Sequence, residues 1–419
     1  MAQKGSTGHL PTSKLLFRNL TSGLTVAFIA LPLALAFGIG SGLGAQAGLV
    51  TAIIAGIIAA IFGGSRYQVS GPTGAMTVIL IPIVAVHGPA AILQVGLMSS
   101  AFLIAAGLLK LGRHIHKLPT ALIEGFTAGI AIVIAMQQIA FILGVKLEAS
   151  DHIWHSVFVE VQVWFQAPNL LPLVFGLIAI LVNIFGVKKL PNFPLSLATV
   201  IGLTLVANIL DLDLVRIGSL PNQFDPPTLD FLNGGNWLAL VPPALAVAFL
   251  AGLESLLSAK IADKMAGTGH HNPDKELIGQ GLANLVVPFF GGVPATAALA
   301  RTAVNIRAGA SSRISAVSHG VFLFLFVIFL GPVIGQIPLA ALGGVLVATA
   351  YHMIRPSELV ATGKTSKLDG MVLVLTLIAT VVLDLISALA LGLLLYLALR
   401  KTRASRRAPV IDELETFGD

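Results

Sequence analysis

Residues 19–65 contain no charged side chain, and after Arg66 residues 67–109 again contain none. A bilayer core of about 30 Å is crossed by about 20 apolar residues in a helix, so each run is long enough for two spans. The glycine patch Gly38-Ile39-Gly40-Ser41-Gly42-Leu43-Gly44 divides the first run, and His87-Gly88-Pro89 divides the second. The same texture continues to the end of the chain. Of 419 residues, 56% are hydrophobic and 11% charged, against about 25% charged in a soluble domain. With a mean hydropathy of +0.93, such a chain has too little charge to cover a water-soluble globule. Soluble enzymes, nucleic-acid binders and disordered scaffolds are excluded together. The absence of cysteine removes disulfides, thiolate metal sites and cysteine nucleophiles.

Ten further spans fall near 119–144, 168–186, 195–211, 238–262, 276–291, 293–308, 314–331, 334–353, 369–384 and 385–400, which makes fourteen. The last boundary lies around Asp384. Lys and Arg mark the cytoplasmic side of a membrane protein. With the first 18 residues inside, 22 of the 25 basic residues fall on one side. Lys146 and Arg216 fall on the other, and Arg301 falls within a span. Glu148, Asp151, Glu160, Asp211, Asp213, Asp225 and Asp230 gather on the outer loops. Both termini are therefore expected in the cytoplasm of a bacterial cell, with the chain in its inner membrane. The N-terminal segment reads as a tail and not as a signal peptide, and the basic tail after Arg400 as a lipid-facing anchor.

The two halves resemble each other. Thr25-Val26-Ala27-Phe28-Ile29-Ala30 in span 1 parallels Ala246-Val247-Ala248-Phe249-Leu250-Ala251 in span 8, and Ile61-Phe62-Gly63-Gly64 parallels Phe289-Phe290-Gly291-Gly292. A short, Gly/Pro-interrupted segment follows each: Ser70-Gly71-Pro72-Thr73-Gly74-Ala75 in span 3 and Pro294-Ala295-Thr296-Ala297-Ala298 in span 10. Seven spans per half invert the second half relative to the first, and matching broken helices in inverted halves point to the substrate site of a secondary transporter. Pro72 removes a backbone donor and Gly71 tolerates unusual backbone. Each segment should therefore arrive extended and begin its helix inside the membrane, at about Thr73 and at Ala298 to Ala300. Two helix N-termini facing each other offer free N–H groups and partial positive charge, an anion site to which Arg301 adds a full charge. Close helix packing alone would also explain the glycines, but not the two prolines in matching places.

Leu31-Pro32-Leu33-Ala34-Leu35-Ala36-Phe37-Gly38, Gly71-Pro72-Thr73-Gly74-Ala75 and Leu299-Ala300-Arg301-Thr302 together resemble the sulfate permease (SulP) family, over almost the whole chain. The resemblance implies an all-α polytopic fold of fourteen transmembrane segments in a 7+7 inverted repeat, like the bacterial uracil transporter, with short strands at broken helices 3 and 10. A core domain (19–112 and 238–332) would move elevator-like against a gate domain (113–237 and 333–400), with tails at 1–18 and 401–419, usually within a homodimer. Leu33 stands where relatives often carry Gln, and Thr73 where prestin-like members carry an aromatic, so the mammalian chloride site is not reproduced. Relatives usually carry a cytoplasmic STAS domain after the last span. The residues from Arg400 to Asp419 are too few for one, and the resemblance is to the membrane domain alone.

An ionisable group inside a bilayer costs about 2.5–3.5 kcal/mol or more, so each is a functional candidate. Glu254, in mid-span, matches the family position tied to cation coupling; it could carry a proton or, ionised and with Ser258 one turn on, hold Na⁺. An ion pair with Arg301 is the structural alternative. Glu124 falls in the gate, where packing is expected. The histidine pairs His114/His116 and His270/His271 lack the spacing of a metal site.

The expected function is secondary active import of a small anion by symport with H⁺ or Na⁺, with no other cofactor. Phe37, Thr73, Gly74, Ala75, Ala300 and Arg301 would line the substrate site, and Glu254 and Ser258 would serve the coupling ion. A carboxylate substrate is favoured, a C4-dicarboxylate such as fumarate, or bicarbonate, with sulfate a further candidate. The alternatives are a nucleobase–proton symporter, whose relatives carry a carboxylate in span 10 where Arg301 stands here, and an uncoupled anion channel. No paired catalytic groups suggest an enzyme.

Overall fold

The computed structural model describes residues 12–117, 119–145, 153–190, 193–220, 226–267 and 269–383, together with 387–388, 391–392 and 394–396. The first half contains α1 (Thr12–Gly40), α2 (Ala45–Phe62), β1 (Ser70–Gly71), α3 (Gly74–His87), α4 (Ala90–Leu108), α5 (Thr120–Gln137), α6 (Ile139–Leu143), α7 (Ile153–Gln166), α8 (Leu170–Lys189) and α9 (Leu195–Ile209). The second contains α10 (Val241–Ala266), α11 (Pro273–Val286), β2 (Thr296–Ala297), α12 (Leu299–Arg307), α13 (Ile314–Ile334), α14 (Leu339–Met353), α15 (Pro356–Thr365) and α16 (Lys367–Val382). Among the described residues, α1, α2, α4, the continuous α5–α6 pair, α8, α10 and α13 are each long and apolar enough to cross a membrane. The fold is the expected all-helical polytopic one, and among the described residues the named strands lie at the two broken segments. Asp384, Lys146, Glu148, Asp151, Asp225, residues 1–11, the C-terminal tail and most of the fourteenth span lie outside the described residues, whereas residues 12–18, expected as tail, form the first turns of α1.

Proline and glycine set many of the boundaries. Pro273 occupies the first turn of α11, where its missing N–H costs nothing, and the Asn272 side chain caps that turn by accepting from the Lys275 amide at 3.0 Å. Gly144 and Gly267 end α6 and α10 in the left-handed conformation. The long connection between α6 and α8 contains α7, a helix that a charge count does not reveal. It turns Trp154, Phe158 and Phe165 outward and buries Ser156 and Glu160.

The helices pack as two groups. In one, α11 lies along α4 and α2, α1 along α13 and α2, and α10 along α4 and α12; in the other, α16 lies along α5, and α14 along α8 and α5. α3 meets α5, and α1 meets α9 and α14, where the groups touch. Leu33 joins the apolar cluster that includes Val200 of α9 and Leu342 of α14.

α11 carries a feature the sequence reading missed. Glu276, Gln280 and Asn284 recur every fourth residue on one helix face, and all three are buried. The Glu276 carboxylate accepts from the amides of Gly64 and Ser65 at 2.8 and 2.9 Å, and from Gln280 Nε2 at 3.0 Å. Gln280 Nε2 also donates to Ser70 Oγ at 2.7 Å. Asn284 receives the Ala295 amide at 2.7 Å and donates to the Ala295 carbonyl at 2.9 Å. A polar stripe that could have marked a span boundary is instead a rail holding the two broken segments. Leucine at Asn284 would leave both Ala295 backbone groups unpaired, at about 1–3 kcal/mol each. Asn284→Leu is expected to lower the Tm of the detergent-solubilised protein by at least about 5 °C; an unchanged melting curve would refute the rail.

Candidate substrate site

The site is built where two helices begin in the middle of the bundle. Pro72 cannot donate to a ladder, and Thr73 stays extended (φ −131°, ψ 159°) as the N-cap of α3, its hydroxyl accepting from the Met76 amide at 3.4 Å. Ala298, also extended (φ −98°, ψ 118°), precedes α12 and has no side chain to cap it. The amides of the first turn of α12 are thus left for other partners. Both starts fall where the sequence places them.

β1 and β2 pair antiparallel, with Ser70 opposite Ala297 and Gly71 opposite Thr296, and the Ala298 amide donates to the Val69 carbonyl at 3.0 Å. Each strand leads directly into its helix. Antiparallel pairing therefore sends α3 and α12 in opposite directions from a shared origin and leaves both positive ends at one place. This is also the local signature of an inverted repeat.

α10 passes beside the strand pair and fastens to it. The Thr73 hydroxyl donates to Glu254 Oε2 at 3.1 Å. One residue on, Ser255 Oγ accepts from the Ala297 amide at 3.1 Å and lies 3.0 Å from Thr296 Oγ1, which donates to the Ala251 carbonyl at 3.1 Å. Gln68 Nε2 donates to the Ser255 carbonyl at 2.6 Å. Ser258, expected beside the coupling ion, donates to Thr302 Oγ1 at 3.3 Å, and Thr302 accepts from the Val69 amide at 3.1 Å. Its hydroxyl ties α10 to α12. Sequence reasoning missed Gln68, Ser255, Thr296 and Thr302. The signal for the last three was small hydroxyl residues in otherwise apolar spans, and Gln68 was a lone amide in a charge-free run.

Phe37 is buried in α1, and Gly74 sits between it and α5. A Cβ on Gly74 would come within 3.1 Å of Phe37 Cε1 and would collide with Ile134. The Phe37 carbonyl accepts from Thr77 Oγ1 at 3.3 Å. Ala75 is buried, whereas Ala300 is exposed and Ala298, Leu299 and Glu254 are partly so. The site is open on the α12 side. Glu124 lies ten residues before Ile134 on α5, about 15 Å along that helix.

Arg301 departs from the expected arrangement. It is 1% exposed, and its Nη2 donates to the Pro72 carbonyl at 2.6 Å. Among the described residues it forms no ion pair with Glu254 within 4.0 Å; Thr73 takes the carboxylate instead. The guanidinium reaches the end of β1, so that a side chain of the second half grips the backbone of the first. Gly71 makes this possible: a Cβ there would lie 2.5 Å from Arg301 Nη1 and 3.2 Å from the Ala52 Cα. The Ala52 backbone cannot give way, so Gly71→Ala is expected to displace Arg301. Initial uptake rates in proteoliposomes should fall at least about tenfold, which corresponds to about 1.4 kcal/mol; unaltered rates would show that the grip is dispensable.

The chain is similar to known proteins over most of its length. The pattern of the family described as "Sulfate permease family" matches residues 16–376. YvdB of Bacillus subtilis, provisionally named a sulfate transporter, is 40% identical over 391 residues, covering 90% of this chain and 72% of its own. The bicarbonate transporter BicA of Synechocystis is 33% identical over 404 residues, covering 91% of this chain and 70% of its own. Among solved structures, the transmembrane domain of a cyanobacterial BicA superposes with a TM-score of 0.83 at 29% identity, over 90% of this chain and 98% of that one. The murine anion transporter Slc26a9 in its inward-facing state gives 0.86 at 16% identity, over 94% of this chain and 70% of that one.

Proposed function

The chain belongs to the sulfate permease family of anion transporters, and from that premise we propose that it is a secondary active importer coupling a small oxyanion to a cation gradient. The carrying observation is the pair of opposed helix starts at Thr73 and Ala298, locked by β1 and β2, with the Glu254 carboxylate bonded to Thr73 beside them. Free amides at a helix start bind oxyanions without a dedicated cationic contact. Arg301 then serves chiefly through its charge and its grip on Pro72, while Phe37, Thr73, Gly74, Ala75 and Ala300 shape the contact surface. Bicarbonate, the substrate in the name of the BicA relatives, is the first candidate, with sulfate and a C4-dicarboxylate next. Coupling runs through Glu254. The Ser258 hydroxyl is turned to Thr302 and not to the carboxylate, so a proton is taken before Na⁺ as the coupling ion. The core group (19–112 and 238–332) is taken to carry the site past the gate group (113–237 and 333–400), in a homodimer with both termini on the basic, cytoplasmic side of a bacterial inner membrane.

The test is uptake of labelled bicarbonate, sulfate, fumarate, chloride and uracil into proteoliposomes under imposed pH or Na⁺ gradients. Accumulation of one oxyanion driven by an inward proton gradient is the expected result. Anion uptake indifferent to every cation gradient would refute symport, and uptake of uracil alone would refute the anion site.

A further inference from the structure

Against β1, where α2 packs on it, lie buried polar atoms that the transport reading does not use. His319 of α13 is 0% exposed, and neither of its ring nitrogens has a protein partner. The Nη1 of Arg301 is likewise buried without a protein partner.

These groups meet across the face of α2. Its Ala52 lies against Gly71 and the Arg301 guanidinium. One turn on, at Gly56, a Cβ would lie 3.4 Å from His319 Nδ1 and 3.4 Å from the Ser70 carbonyl oxygen. The Ser70–Gly71 peptide thus has the imidazole on one side and the free edge of the guanidinium on the other. A buried polar atom left unpaired costs about 1–3 kcal/mol, and three of them, both His319 ring nitrogens and Arg301 Nη1, flank the Ser70–Gly71 peptide against Ala52 and Gly56 of α2. Two kinds of donor and a carbonyl acceptor around one spot match what a water molecule satisfies, since it donates twice and accepts twice.

We propose that an ordered water sits beside β1, bonded to the His319 imidazole and to Arg301 Nη1, and that His319 is a positioning residue holding Arg301 in its grip on Pro72 next to the anion site. The functional half of this rests on the transport reading; the water does not. Pro72 fixes one arm of the guanidinium fork and the water fixes the other, which gives the cation a defined orientation even when no anion is bound.

A structure of the protein in lipid nanodiscs, at a resolution that shows other buried waters, is expected to show density within hydrogen-bond distance of both groups. In proteoliposomes, His319→Phe should raise the anion concentration for half-maximal uptake about tenfold, with the maximal rate changed less than about threefold. His319→Gln, which still bonds water, should stay within about threefold of the parent. Gly56→Ala, whose methyl fits against the imidazole and the carbonyl at ordinary contact distance, should fill the space and reproduce the His319→Phe effect while the protein elutes as the parent does. No density at that position, or unchanged kinetics in His319→Phe or Gly56→Ala, overturns the proposal. Should the parent take up no anion at all, the transport reading falls, and the density alone decides the water.

Discussion

Replacing Arg301 by alanine is expected to reduce anion uptake in proteoliposomes by at least about a hundredfold at subsaturating substrate, equivalent to about 2.7 kcal/mol. Two losses combine. The Pro72 carbonyl, now bonded at 2.6 Å, becomes a buried acceptor without a partner at the residue preceding the N-cap of α3. A full positive charge also disappears from the low-dielectric neighbourhood in which the anion must rest, where charge interactions are far stronger than in water. Arg301→Lys separates the two effects. It restores the charge but not the planar fork that grips Pro72 on one arm and presents Nη1 on the other, so partial recovery is the expected result. Initial rates should be measured beside elution profiles, because an aggregated variant would mimic the loss. Uptake near the parent's from well-folded Arg301→Ala would remove Arg301 from the site.

Glu254→Gln should abolish accumulation against a gradient while leaving exchange of labelled for unlabelled anion largely intact. Gln matches Glu in shape, and its amide oxygen can still accept from the Thr73 hydroxyl, now 3.1 Å from Oε2, so the strand crossing should survive. What it cannot do is gain and lose a proton or change its charge. The distinguishing measurement is the steady-state ratio of internal to external label under an imposed proton gradient. That ratio is expected to fall to equilibrium in the variant. A variant that still concentrates the anion would refute the coupling role.

How far these residues could be read from the text follows from where their partners lie. The start of α3 at Gly74 and of α12 at Leu299 was legible because Pro72 and the surrounding glycines act on their own backbone. Glu254 and Arg301 stood out because charge inside an apolar run is conspicuous. Their relation to each other was not legible: the spacing permits an ion pair, and only the packing shows Thr73 interposed and Arg301 turned to the end of β1. Glu276 was read as the edge of a span and His319 as one scattered histidine, since their meaning depends on Gly64, Ser70 and Gly71, more than two hundred residues earlier. Ser258 looked like an ion ligand by its turn relation to Glu254, but its hydroxyl belongs to Thr302.

The strand pair also constrains how the protein can be made. Ser70 leaves the ribosome long before Ala297, its partner in the ladder, and the side chains that hold its neighbourhood, Glu276, Gln280 and Arg301, are synthesised late as well. A lipid-exposed extended segment with unpaired backbone groups is not tolerated in the hydrocarbon core. During synthesis the first broken segment must therefore wait, sheltered among its own half's helices or held at the aqueous surface, until the inverted second half arrives. The anion site comes into being only when the last of its two halves is inserted, so neither half could have transported anything in this way by itself.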